Sequence, residues 1–264
     1  MTYLVDSHCH LHDREFFTAQ QAEQMLLRAH ENSVEKIICI GTSHEDSLAA
    51  RNFAESHDGV YWTYGIHPSD AGANEGVMRS AGRKDLARAA RSAPEGRATP
   101  SFAPLVAIGE IGLDYHYEPY DRDAQIKLFE QMLQLATDLN LPVSFHIREA
   151  FPDFFGVIAN FPKITGVVHS FSDNKQNLKK LINTTDFYIG VNGLATYSTL
   201  PMPPLERILL ETDAPFLTPA PFRGTINEPA YIKNISEFIA TKMGVPVAKV
   251  AEITTKNVSK LFQL

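Results

Sequence analysis

The sequence predicts a (β/α)8 barrel, and three observations carry that expectation. Eight short apolar runs alternate along the chain with segments of helical periodicity. Most of these runs end in a histidine or a carboxylate: His8 and His10, Glu110, His146, His169 and Asp213. An open doubly wound sheet would hold those strand ends too far apart to serve one site, whereas a barrel gathers them at its carboxyl-terminal mouth. The length, 264 residues, suits one such unit, so residues 1–264 are expected to form a single domain.

In chain order, Tyr3–His8 reads as the first strand. A helix over about Ala19–Asn32 follows, with Met25, Leu26 and Ala29 on one face. Lys36–Gly41 is a continuous apolar strand of the kind buried on both faces, and about Glu45–Ser56 is its helix. Val60–Ile66 is the third strand, ending at His67-Pro68. Residues 71–104 are rich in Ala, Arg, Ser, Gly and Pro, and are expected to form a surface excursion of low order with one helix over Lys84–Arg91. Regularity returns with a strand at Leu105–Ile111. Asp121–Asn140 is the clearest helix, its stripe being Ile126, Phe129, Leu133, Ala136 and Leu139, and Asn140-Leu141-Pro142 stops it. Val143–His146, Gly166–His169, Phe187–Val191 and Ile208–Thr212 are the last four strands, with helices to about Asn160 and over about Asn174–Asn183 between them. Ile232–Met243 and Val247–Leu261 are the closing helices.

Composition removes several function classes. A hydrophobic content of 44% with 21% charged residues is that of an ordinary globular protein, neither disordered nor membrane-spanning. A net charge of −7 argues against a protein that coats duplex DNA with a basic face. A nuclease stays open, because bound divalent cations place positive charge where a phosphate must sit. Cys9 and Cys39 fall in buried strands and read as small core residues. The chain opens directly on a strand, and a reducing, cytoplasmic setting is expected.

The chemistry rests on scattered residues. His8 and His10 are two apart at a strand end and aim at one point, with Asp6 placed to orient one imidazole. Glu110 sits in Gly109-Glu110-Ile111-Gly112 after an apolar run, and its two oxygens can bridge two cations. His146 and His169 end consecutive strands, and Asp213 ends the last one, where a carboxylate can bind a metal and accept a proton. Glu211 shares the inward face lower down and is not counted as catalytic. His67 ends the third strand and can contact substrate or offset charge. Arg148 is the best phosphate clamp, with Arg223 a second, because a guanidinium binds two oxygens at once. Tyr115, Tyr117 and Tyr120 are candidates for base stacking or plain packing. His12, His30, His44, His57 and His116 read as surface or loop residues. A mixed histidine and carboxylate shell suits Zn or Mn by ligand softness.

These motifs, taken in order, resemble the TatD-related metal-dependent deoxyribonucleases of the amidohydrolase superfamily. The matching segments are Asp6-Ser7-His8-Cys9-His10-Leu11, Gly65-Ile66-His67-Pro68, Gly109–Tyr115, Pro142–Arg148, Val168-His169-Ser170-Phe171, Glu211–Leu217, Arg223-Gly224 and Asn227-Glu228-Pro229. The resemblance implies hydrolysis of DNA phosphodiesters by a (β/α)8 enzyme, as a 3′→5′ exonuclease on single strands or 3′ ends, with RNA as a further substrate. It implies two divalent metal ions, Mg, Mn or Zn. One would be held by His8, His10, Glu110 and Asp213, the second by Glu110, His146 and His169. Asp213, Glu110 and His67 would be the catalytic residues, and Arg148 and Arg223 would bind substrate. No membrane partner is expected, and the protein is expected to act as a monomer. Two other readings compete: a metal-dependent hydrolase of a small amide, lactone or phosphoester, and a non-catalytic scaffold. Glu110 stands where a carbamylated lysine would bridge the metals of some such hydrolases, which favours the nuclease.

Overall fold

Strand order in the computed structural model is β1-β2-β3-β4-β5-β6-β7-β8, the order of a (β/α)8 barrel, as expected. The structure describes residues 3–72, 83–90 and 103–264. Most of the expected excursion at 71–104 lies outside the described residues. Its one described helix is α3, Arg83–Ala90, with Leu86 and Ala89 buried.

The described chain divides into two compact units. The first combines Met1–Cys39 with His169–Leu264. It contains β1 (Leu4–Cys9), α1 (Ala19–Glu31), β2 (Val34–Cys39), β7 (Tyr188–Val191) and β8 (Ile208–Leu210), with the closing helices Ile232–Met243 and Val247–Phe262. A further helix, Lys175–Thr184, precedes β7. β1 pairs with β2 and β7 with β8, all parallel. Past the end of β8 the chain bonds to β1: the Asp213 N–H donates to the His8 carbonyl and the His10 N–H to the Ala214 carbonyl, both at 2.8 Å. The first and last strands are thereby neighbours. The second unit, Ile40–Val168, contains α2 (His44–Glu55), β3 (Val60–Tyr64), α3, β4 (Leu105–Asp114), α4 (Arg122–Leu139), β5 (Val143–Arg148), α5 (Phe151–Ile158) and β6 (Gly166–Val168). Its strands pair parallel from β3 through β6.

Local chemistry sets the element ends. Thr18 and Gln21 form a reciprocal capping box at the start of α1. The Asp121 carboxylate accepts from the Ala124 N–H at the start of α4, at 2.9 Å. Asn140 ends α4 in the left-handed conformation, φ 53°, which a short polar side chain tolerates. Asp121→Ala should cost about 1 kcal/mol by removing that cap, measured as a shifted urea midpoint at unchanged slope. An unmoved midpoint would show that solvent caps the helix as well. Strand residues such as Ile38, Ile108, Phe145 and Leu209 are fully buried, Phe145 against Phe129 and Phe154 of the neighbouring helices. Cys9 and Cys39 are buried free thiols, as the sequence suggested. No helix among the described residues is long and apolar enough to cross a membrane.

Candidate metal sites

In the first unit, His8 lies in β1 and His10 just past its end, and the β1–β8 hydrogen bonds bring Asp213 beside them. The Nε2 atoms of both histidines are 3.6 Å from the same carboxylate oxygen, Oδ1 of Asp213. The ring of His169 stacks on His8, centroids 3.9 Å apart and nearly coplanar at 9°. His8, His10, His169 and Asp213 are therefore gathered, and all four are buried. Asp213 itself is left-handed, φ 59°, as is Ser170 immediately after His169, φ 46°. These residues turn the chain sharply at the strand ends, a backbone state that only surrounding structure maintains.

Glu211 is fully buried and supports this cluster. Its Oε1 accepts from the Ser170 N–H at 2.6 Å and from the Asn192 amide at 3.3 Å, and lies 3.7 Å from His169 Nδ1. A Cβ added to Gly190 would come within 2.2 Å of Glu211 Oε2, so a glycine is needed there to make room for the carboxylate. Two sequence expectations need correction. Asp6 does not orient an imidazole: its oxygens accept from the Thr212 N–H at 2.9 Å and hydroxyl at 2.5 Å, and from the His8 backbone N–H at 3.3 Å. Complete burial pushes its carboxyl up to about 8 despite those hydrogen bonds. His12 is no surface residue either. The chain turns inward after β1, burying Leu11 and His12 together.

In the second unit, β4 and β5 bring together Glu110, Asp114 and His146. His146 Nδ1 is 2.6 Å from Glu110 Oε1, and its Nε2 is 2.9 Å from Asp114 Oδ2. With Asp114 accepting from Nε2–H, the neutral ring turns its Nδ1 lone pair toward a carboxylate oxygen. Only a proton or a cation between the two stabilises that pairing. His67 Nε2 stands 3.9 Å from the same Glu110 oxygen. Its Nδ1 accepts from the Ser69 N–H at 3.2 Å, which leaves Nε2 as the protonated, donating nitrogen of the neutral ring. Asp114 and Gln125 went unnoticed in the sequence. Gln125 pins the Asp114 backbone by donating to its carbonyl and accepting from its N–H, each at 2.8 Å. The available signal was the spacing: Glu110 and Asp114 are four apart, so a strand continued to 114 puts both on one face. Arg148 lies with its guanidinium carbon 5.0 Å from the Tyr117 ring centroid, and Arg223, in the first unit, 3.9 Å from that of Tyr197. Tyr115 and Tyr120 stack on each other at 4.7 Å, and the Tyr115 hydroxyl donates to Asp153 at 2.8 Å, so these two serve packing.

The carboxylates are ready to hold a cation. Burial pushes the Asp213 carboxyl up, but a hydrogen bond from His10 and the nearby His169, His8 and His10 rings outweigh it and leave it below the ordinary carboxylate range. Asp114 behaves likewise: burial raises it, and His146, the His116 N–H and His67 bring it down. Potential ligand atoms lie within 4.8 Å of one another in His8/His10/Asp213 and in His67/Glu110/His146. Bonds of about 2.1 Å to a tetrahedral or octahedral ion put adjacent donor atoms roughly 3–3.5 Å apart. The 3.6 Å spacings in the first cluster fit a divalent ion with little adjustment.

Comparison with known proteins agrees with this chemistry. The family model described as TatD related DNase matches residues 5–263. The chain is 32% identical over 273 residues to the uncharacterized metal-dependent hydrolase YcfH of Escherichia coli K12, covering 99% of this chain and 96% of that protein. It is 32% identical over 261 residues to the 3′-5′ ssDNA/RNA exonuclease TatD of Pantoea ananatis, covering 93% and 95%. Among solved structures, the TatD homolog YJJV of Escherichia coli K12 superposes with a TM-score of 0.84 at 28% identity, covering 99% of this chain and 98% of that one.

Proposed function

Because the chain belongs to the TatD related DNase family and is a metal-dependent hydrolase, we propose that it cleaves DNA phosphodiester bonds, as a 3′→5′ exonuclease on single strands and 3′ ends, and accepts RNA. The carrying observation is the buried cluster in which one Asp213 oxygen faces two imidazole nitrogens at 3.6 Å. It supports metal-assisted hydrolysis; the exonuclease relative supports the nucleic-acid substrate. In this reading His8, His10, Glu110 and Asp213 hold one divalent ion, Glu110, His146 and His169 hold a second, and residues 1–264 act as one functional unit. Mg, Mn and Zn are the candidate ions.

When bound, such a pair of ions supplies Lewis-acid polarisation of the scissile phosphate. The chain's own groups do the rest. Asp213, ionised across the neutral range by its histidine neighbours, accepts the proton of the attacking water. Arg148 and Arg223 bind non-bridging phosphate oxygens, and the Nε2–H of His67 offsets charge as it develops. Asp114 holds His146 in orientation, and Glu211 fixes the turn after His169 by accepting from the Ser170 N–H.

Protein stripped with a chelator is expected to release no nucleotides from end-labelled single-stranded DNA. Added Mg²⁺ or Mn²⁺ should restore release, with two metal equivalents per chain by elemental analysis. Full activity after chelation would overturn the metal reading. Intact DNA alongside turnover of a small ester or lactone would transfer the protein to the alternative class of small-substrate hydrolases.

A further inference from the structure

Two phenylalanines stand in solvent beside the His8/His10/Asp213 cluster. Phe216 is 47% exposed and Phe16 is 44% exposed. Their rings meet edge to face, centroids 5.2 Å apart at 81°, and the Phe216 ring lies 6.4 Å from that of His10. Single exposed apolar side chains are ordinary. A contacting aromatic pair against a buried polar cluster is not, because the two rings bury little of each other and remain wetted.

The backbone holds Phe216 in that exposed position. Its N–H donates to the Asp213 carbonyl at 2.8 Å. The amide of Asn227, itself fully buried, donates both to the Phe216 carbonyl at 2.6 Å and to the Thr212 carbonyl at 2.8 Å. Asp213 and Phe216 therefore ride on one turn, tied down on either side by a single side chain. Leu217, next in the chain, is left-handed at φ 54°, a state a branched side chain adopts only when its surroundings impose it. Phe16 is placed in a comparable way: the adjacent Phe17 is buried, and its N–H donates to the Asp13 carbonyl at 3.0 Å. Neither the edge-to-face contact nor the His10 ring removes Phe216 from solvent, so ring surface is left for a planar ligand.

We propose that Phe216, braced by Phe16, is the stacking surface for the nucleobase adjoining the scissile phosphate. This rests on the nuclease reading and deepens it by naming what recognises the nucleotide. Stacking is tolerant of base identity, since every base presents a π-face, and so suits an enzyme that must degrade any sequence. It also answers an electrostatic difficulty. A chain of net charge −7 draws little strand affinity from its general field, so grip on a single strand must come from local contacts.

The test compares a single-stranded oligonucleotide with the same strand carrying a tetrahydrofuran abasic nucleotide at its 3′ end, both with Mn²⁺. The wild-type enzyme should prefer the intact strand by about tenfold in kcat/KM, chiefly through KM. Phe216→Ala and Phe216→Leu should lose most of that preference, Phe216→Tyr should keep it, and Phe16→Ala should weaken it less. Metal content and unfolding temperature should match wild type in the variants. Leucine keeps the apolar bulk without the ring, so it carries the test if the alanine variant folds poorly. The proposal is overturned if the wild type cleaves both strands equally, if Phe216→Leu keeps the full preference, or if that variant loses metal. A wild type that cleaves neither strand overturns the nuclease reading, and the stacking role with it.

Discussion

Asp213→Asn is expected to leave a folded protein with kcat on single-stranded DNA reduced about 10²–10⁴-fold. The substitution conserves shape. Its backbone N–H still donates to the His8 carbonyl, and asparagine tolerates the left-handed φ of 59° as readily as aspartate does. What disappears is a negative oxygen 3.6 Å from each of two imidazole nitrogens. An amide cannot take a proton from water, and it is a weaker partner for a divalent ion. Steady-state kinetics should therefore fall while the unfolding temperature stays within a few degrees. Near-normal cleavage by this variant would remove Asp213 from the chemistry.

The largest stability effect is expected in the second unit. Phe154, in α5, is fully buried. Its ring lies 5.4 Å from that of Phe145, at 73°, and 6.2 Å from that of Phe129. Truncation to alanine opens a cavity under β5 that its aromatic neighbours can fill only partly, and should cost about 3–5 kcal/mol. For a chain of this size that corresponds to a drop of roughly 6–20 °C in Tm. Because Phe145 directly precedes His146, a weaker hold on the second-unit cluster should accompany the loss. Urea unfolding measures the first effect and metal titration the second. A cost below about 1 kcal/mol would mean that the remaining neighbours repack without a void.

Much of the fold was legible in advance because it depends on near neighbours. The start of α4 at Asp121 and its stop at Asn140 are local properties, and Ile232–Met243 is a helix over the residues its periodicity indicates. Of the expected α4 stripe, Phe129, Leu133 and Ala136 are buried while Ile126 and Leu139 are half-buried. The strand ends were also legible, since a histidine or carboxylate after an apolar run stands out against its context. Asp114 and Gln125 were not. Gly112 interrupts the strand signal between Glu110 and Asp114, and Gln125 reaches Asp114 from a helix whose polar residues look solvent-facing in one dimension. His12 and Asp6 were misjudged for a related reason: burial and partner choice belong to chain segments that meet only on folding.

Residue types and their periodicity, readable from the linear chain, determined the barrel class and the inventory of groups able to grip a cation. The three-dimensional structure alone decided which atoms face each other. Asp6 and Thr212 are 206 residues apart, yet their hydrogen bond is part of the β1–β8 contact that sets Asp213 beside His8 and His10. Strand register transmits such choices over long separations, and a side chain's direction follows from register rather than from its own neighbours in sequence.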